Sequence, residues 1–189
     1  MPKKKPTPQT TILDAQQMAR VIRRMAGEIV ELNRGVKDLL LVGIRTRGVP
    51  LAEALAAEIE RMEGHQVPLG ILDITLYRDD LSVPGGSGAQ PLVKETVLPR
   101  SLDDRVVVLC DDVLYTGRTV RAALDHLVDY GRPRAVQLAV LIDRGHRELP
   151  IQADVVGKTV PTAQSENVEV SFQATDGEEQ VRLTKKGAP

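Results

Sequence analysis

Aromatic residues are scarce in this 189-residue chain, at 2%, with no tryptophan, one phenylalanine and three tyrosines. A platform on which successive bases stack is therefore excluded as the main basis of any nucleic-acid binding. Cysteine occurs once, at Cys110, which rules out an internal disulfide; lying in an apolar run, it reads as a small core residue and not as a redox group. No Cys and His cluster has metal-ligand spacing, and no apolar run is long enough to span a membrane. A dominant sign of charge is also missing. The 25 Lys and Arg against 26 Asp and Glu leave a net charge of −1, so a nucleic-acid partner would need a local basic patch. The opening MPKKKPTPQTT is basic and proline-rich but lacks the apolar centre of a signal peptide. Residues 1–11 are therefore expected as a disordered tail, with a second tail at 185–189, on a cytoplasmic protein. The cluster Gly85, Gly86 and Gly88 does not continue as GxGxxG and opens no helix, which removes a dinucleotide reading.

What is present is an ordinary hydrophobic content of 42%, enough over residues 12–184 for one domain with a real core. Asp14 is a plausible N-cap, and Met18, Val21, Ile22, Met25, Ile29 and Val30 follow at helical spacing up to Gly35. Buried strands are expected at 39–44, 68–76, 106–110 and 135–142, and helices at 51–63 and 118–130. Strands alternating with helices predict an α/β fold, with a mostly parallel central sheet covered on both faces. Near the end, Asp176-Gly177 marks a hairpin between 167–173 and 179–184. Residues 77–99 form a long irregular stretch of the kind that serves as a functional lid or stays disordered.

The richest segment is VVVLCDDVLYTGRT, residues 106–119. A buried strand here delivers Asp111 and Asp112 to the carboxyl end of a sheet, where open α/β folds bind ligands. The two acids can accept hydrogen bonds from the 2′- and 3′-hydroxyls of a sugar and share a divalent cation. Thr116, Gly117, Arg118 and Thr119 then open a helix whose free N–H groups and dipole favour a phosphate. A strand that merely ended in a polar turn would account for one acid but poorly for two acids, a glycine and flanking threonines.

Three further segments carry chemistry. The loop Arg45-Thr46-Arg47-Gly48 offers two guanidinium groups, a hydroxyl and a glycine that admits close backbone approach, a combination suited to pyrophosphate. Arg78 follows LDITLY and leads into the long loop, which could close over a bound ligand and exclude water. The segment from Ile142 to Pro150, with Arg144, His146 and Arg147, and the stretch around Val160 could form a wall that recognises a base; His146 reads better as structural than as a catalytic base.

The acid–acid–TGRT motif resembles that of the type I phosphoribosyltransferases, which bind 5-phosphoribosyl-1-pyrophosphate (PRPP). With VGIRTRGVPLA, DITLYRDDL and DRGHRELPI the resemblance narrows to the PyrR family of pyrimidine operon attenuation regulators, which are also uracil phosphoribosyltransferases. It implies a type I phosphoribosyltransferase fold with a small hood and a C-terminal hairpin. It further implies uracil plus PRPP giving UMP plus pyrophosphate, with Mg²⁺ near Asp111 and Asp112. In this reading Thr46, Arg47 and Gly48 hold the pyrophosphate, Thr116–Thr119 the 5′-phosphate, and Arg144 and Val160 the uracil, while Arg78 is catalytic beside the two acids. The family also binds leader mRNA of the pyrimidine operon as a homo-oligomer, dimer or tetramer. Arg20, Arg23, Arg24, Arg147 and Lys158 are the basic residues that could serve this. The sequence departs from the family pattern at Gly27, Gln152 and Gln164, each a lost donor or charge, so a purely metabolic enzyme or nucleotide sensor is the alternative.

Overall fold

The computed structural model describes residues 9–77, 95–99 and 101–185. Its first strand, β1 (Gln9–Leu13), starts earlier than the domain boundary expected at residue 12. The backbone groups of Gln9 to Thr11 pair with the far end of the chain, which draws part of the expected tail into the fold. Asp14 then caps α1 (Ala15–Asn33) in a reciprocal box: its carboxylate accepts from the Gln17 N–H at 2.8 Å, while the Gln17 side chain accepts from the Asp14 N–H at 2.9 Å. The helix ends on Arg34 in the left-handed region, one residue before the expected Gly35.

The order continues through β2 (Leu39–Ile44), α2 (Gly48–Glu63), β3 (Leu69–Leu72), β4 (Val106–Leu114), α3 (Arg118–Leu127), β5 (Ala135–Asp143), β6 (Val155–Thr159), β7 (Glu166–Ser171), a single turn α4 (Gln173–Asp176) and β8 (Gln180–Lys185). Strand β3 stops short of the expected 68–76, because the buried Asp73 carboxylate captures the N–H and hydroxyl of Thr75 and turns the chain into a 3₁₀ turn at Thr75–Tyr77. Strand β4 runs past the expected end at 110, since Leu114 still pairs with Asp143 of β5. The Asp176-Gly177 turn is present inside a longer hairpin connection, with Gly177 left-handed after α4.

Five parallel strands lie in the order β3-β2-β4-β5-β6. Alternate residues feed two cores. Leu39, Leu41, Val106, Val108 and Cys110 face α1 and α2, while Leu40, Val42, Val107 and Leu109 face α3. A separate antiparallel sheet, β1-β8-β7, forms the hood and closes the N- and C-terminal parts onto each other. In this order β2 hands the chain on to one side through α2 and β3, and β4 to the other through α3 and β5. The two neighbours therefore diverge at their carboxyl ends and open a crevice, the switch point where such sheets bind ligands. No described helix is long and apolar enough to cross a membrane.

Candidate active site

The crevice is bounded by the loop after β2, Arg45–Arg47, and the loop after β4, Tyr115–Gly117. Their separation is set by glycines. A Cβ on Gly48 would sit 2.2 Å from the Cys110 carbonyl oxygen, and one on Gly43 would sit 2.5 Å from the Val49 Cα. The start of α2 thus lies directly on the β2 and β4 backbones, one residue before Asp111. Gly48, expected to admit a ligand to the backbone, also permits a close approach of α2 to Cys110. The Arg45–Thr46 peptide is cis. Arg45 turns away and donates to the Glu95 carbonyl at 3.0 Å, while Arg47 is the guanidinium near the acids.

Asp111 is 6% exposed, and one of its oxygens accepts the Asp112 N–H at 3.0 Å. Burial pushes the Asp112 carboxyl above its ordinary range, against the pull of the Asp111 side chain and of the Arg47 charge. A carboxyl held this way beside a second one gains from donors or a cation that favour its charged form. Sugar hydroxyls and a divalent ion have that chemistry. The described residues offer no group of three or more ligands that would cage a metal, so the acids fit an ion that keeps water and substrate oxygens.

On the other side of the crevice, Gly117 adopts φ 92° at the start of α3 and supplies no side-chain cap. Arg118 N–H has a side-chain acceptor in Thr116 Oγ1 at 3.4 Å, and Arg121 N–H closes the first turn on the Gly117 carbonyl at 3.0 Å. The first turn is left with donors for an anion. The loop is stapled from behind: Thr116 O accepts the N–H groups of Glu148 and Leu149 at 3.0 and 3.2 Å. Arg118 itself pairs with Glu148 at 2.8 Å on the surface, and Thr119 is half-buried beside it.

The residues expected to line a base wall are each held by partners within the protein. Arg144 is 3% exposed and wholly engaged. It bonds Thr162 Oγ1 at 3.2 Å, Asn167 Oδ1 at 3.4 Å and the Glu166 carbonyl at 2.7 Å, and lies 4.1 Å over the Tyr115 ring. Val160 spends its N–H on the Asp143 carbonyl at 2.8 Å. His146 Nε2 lies 2.7 Å from the Thr162 carbonyl, consistent with a structural role.

The basic residues expected to face RNA separate into two groups. Arg24 pairs with Glu28 and donates to the carbonyls of Val156 and Gly157, and Lys158 reaches the Ile12 carbonyl at 3.3 Å. These two and exposed Arg20, one helical turn before Arg24, share the seam of α1 and β6. Arg23 turns toward α2 and Glu58 at 3.4 Å. Arg147 points inward, donating to the carbonyls of Tyr115 (2.8 Å), Ile151 (3.0 Å) and Gly145 (3.2 Å) and to the Asp143 carboxylate. Its guanidinium is committed to the scaffold beside the loop after β4. Arg78 lies outside the described residues.

One partner in the crevice had no signal in the sequence. Asp176 of α4 accepts from Arg47 at 2.9 Å, although its Asp-Gly context reads only as a turn.

With this geometry established, the comparisons with known proteins are specific. The phosphoribosyl transferase domain family matches residues 8–175. A "Bifunctional protein PyrR" of Deinococcus radiodurans is 57% identical over 93% of this chain and 94% of its own length. Another, from Pelotomaculum thermopropionicum, is 60% identical over 90% and 92%. Among solved structures, the hypoxanthine phosphoribosyltransferase of Trypanosoma cruzi in complex with IMP superposes with a TM-score of 0.69, covering 99% of this chain and 98% of that one, at 17% identity. A Staphylococcus aureus hypoxanthine phosphoribosyltransferase gives 0.66 over 94% and 93%, at 18% identity. At these identities the two structures establish a shared fold.

Proposed function

We propose, for a chain that belongs to the phosphoribosyl transferase family and within it to the PyrR proteins, that it makes UMP and pyrophosphate from uracil and PRPP, and that with UMP bound it binds pyrimidine-operon leader mRNA and promotes transcription attenuation. The observation that carries the enzymatic half is the crevice between β2 and β4, where two adjacent acids face a cationic loop and an uncapped helix start.

In this reading the uracil N1, giving up its proton to the departing pyrophosphate or to water, attacks the anomeric carbon from the face opposite the pyrophosphate. The C–O bond breaks, the oxygen keeps the electron pair, and the configuration inverts. Thr46 and Arg47 bind the departing pyrophosphate, Asp111 and Asp112 hold the ribose hydroxyls, and Thr116–Thr119 hold the 5′-phosphate. Mg²⁺, bound jointly by PRPP and these carboxylates, would neutralise charge on the leaving group. Among the described residues none is prepared as a nucleophile: burial raises the Cys110 thiol far above its ordinary range. Catalysis therefore rests on positioning and on charge stabilisation. Arg78 is proposed as a catalytic residue on the strength of the sequence. Arg144 and the backbone at Val160 are proposed to set the shape of the uracil site, Arg144 by packing behind it.

For RNA, the α1–β6 seam with Arg20, Arg24 and Lys158 is taken as the surface, with exposed Arg23 beside it paired to Glu58 and Arg147 turned inward. Assembly as a homodimer or homotetramer in the cytoplasm would bring two such seams together. A second reading, a metabolic enzyme or nucleotide sensor with weakened RNA binding, is favoured by the exposed Gln152 and Gln164 and by the open space at Gly27, where a side chain would meet nothing within 4 Å. The test is binding of purified protein to its own leader RNA at two salt concentrations, with and without UMP. Attenuation requires UMP-enhanced, salt-sensitive binding, and by linkage RNA must raise UMP affinity by the same factor. RNA affinity that ignores UMP would leave the metabolic reading.

A further inference from the structure

We propose that Asp176, on the C-terminal hairpin, is a positioning residue for Arg47; this deepens the reading of Thr46–Gly48 as the pyrophosphate loop and rests on it. Arg47 Nη2 donates to Asp176 Oδ1 at 2.9 Å, and Arg47 Nε is 3.4 Å from Asp176 Oδ2. A carboxylate on that edge fixes the plane of the guanidinium and leaves its Nη1 end for another anion. Among the described residues no hydrogen bond is made from Nη1.

The anchor is itself held. Asp176 Oδ2 accepts the Phe172 N–H at 3.0 Å, and the Phe172 side chain is buried in the core. That backbone donor, joined by Arg47, keeps the Asp176 carboxyl below its ordinary range, so it stays charged at neutral pH. Arg47 thus stands between two carboxylates, Asp112 on β4 and Asp176 on the hood. Its side chain is 43% exposed, and without the hood contact it would have many rotamers to choose from. The cost of ordering it would then fall on substrate binding. Asp176 removes that cost beforehand.

The experiment uses the full chain with Mg²⁺, measuring initial rates with PRPP varied, with uracil varied, and in reverse from UMP and pyrophosphate. Asp176→Asn keeps the acceptor for Phe172 but loses the charge. It is expected to raise KM for PRPP and for pyrophosphate about tenfold, with kcat changed by less than about twofold and KM for uracil unchanged. Asp176→Glu, which restores the charge, should recover part of the loss. In an Arg47→Ala background, which by itself should raise the same two KM values, Asp176→Asn should add nothing. Unchanged PRPP affinity in Asp176→Asn, with Arg47→Ala still impaired, overturns the role of Asp176 and leaves the pyrophosphate loop intact. Unimpaired Arg47→Ala overturns both. A fall in KM for PRPP, which would make Asp176 a competitor of the substrate, or a parallel rise in KM for uracil, which would mean general loosening, also overturns the proposal.

Discussion

The crevice between β2 and β4 and the seam between α1 and β6 carry the two halves of the proposed function, and the protein holds them by different means. In the crevice, positions are imposed by the backbone: α2 rests on the Cys110 carbonyl through Gly48, and Thr116 is fixed by two N–H donors from the chain after β5. The acids are buried in a strand whose pairing admits one register. Along the seam the functional candidates are long exposed side chains, and two of the three already donate to backbone carbonyls of the protein itself. A site made by packing tolerates little change. A site made by surface charge can be lost or regained by single substitutions.

The contrast can be broken most forcefully at the acids. Asp112→Asn should lower kcat/KM for PRPP by about 10²–10³-fold, the scale for losing one preorganised electrostatic contact, as read by initial rates of UMP formation. Gly48→Ala comes next. Its methyl would meet a strand carbonyl that cannot yield, so a loss of about 1–3 kcal/mol in urea unfolding is expected, together with a raised KM for PRPP as the loop shifts. If both stability and KM are unmoved, packing does not set the pyrophosphate loop.

Asp143 tests the scaffold behind the phosphate loop. Burial alone would raise its carboxyl, but Arg147 and the Gly145 N–H outweigh that and hold it below its ordinary range. A depressed folded value means that its contribution to stability is complete above the unfolded value and is lost as pH falls through the folded one. Asp143→Asn should therefore cost about 1–3 kcal/mol at neutral pH, and the gap to wild type should close below about pH 4 in denaturation curves. The smallest effect belongs to the seam. Gly27→Ala places a methyl in open space inside α1 and should raise stability by about 0.5–1 kcal/mol. Gly27→His at the same position should strengthen leader-RNA binding if the seam is the RNA surface.

Much of the crevice was legible in the sequence, because buried strands and turn residues write short local patterns. The apolar run into Asp111 and Asp112 and the TGRT turn could be read at once, as could the N-cap at Asp14, though not its reciprocal bond with Gln17. Roles that depend on distant partners could not. Arg147 looks like any surface arginine until the fold brings the Tyr115 and Ile151 carbonyls to it. The contact of Gly48 with the Cys110 carbonyl exists only once α2 is laid on β4, and the Arg47–Asp176 pair joins residues 129 positions apart. The end of β3 was missed for a local reason, since the apolar run continues while the Asp73 side chain turns the chain.

Uracil is the base proposed to join a ribose held by Asp111 and Asp112, on a fold shared with hypoxanthine phosphoribosyltransferases. The most direct measurement is product formation by the purified chain with PRPP and Mg²⁺, offered uracil and hypoxanthine in parallel, for wild type and for the Asp111→Asn/Asp112→Asn double variant. UMP from uracil, no IMP from hypoxanthine, and loss of UMP formation in the variant are predicted. IMP as the product, or an undiminished rate in the variant, would contradict it.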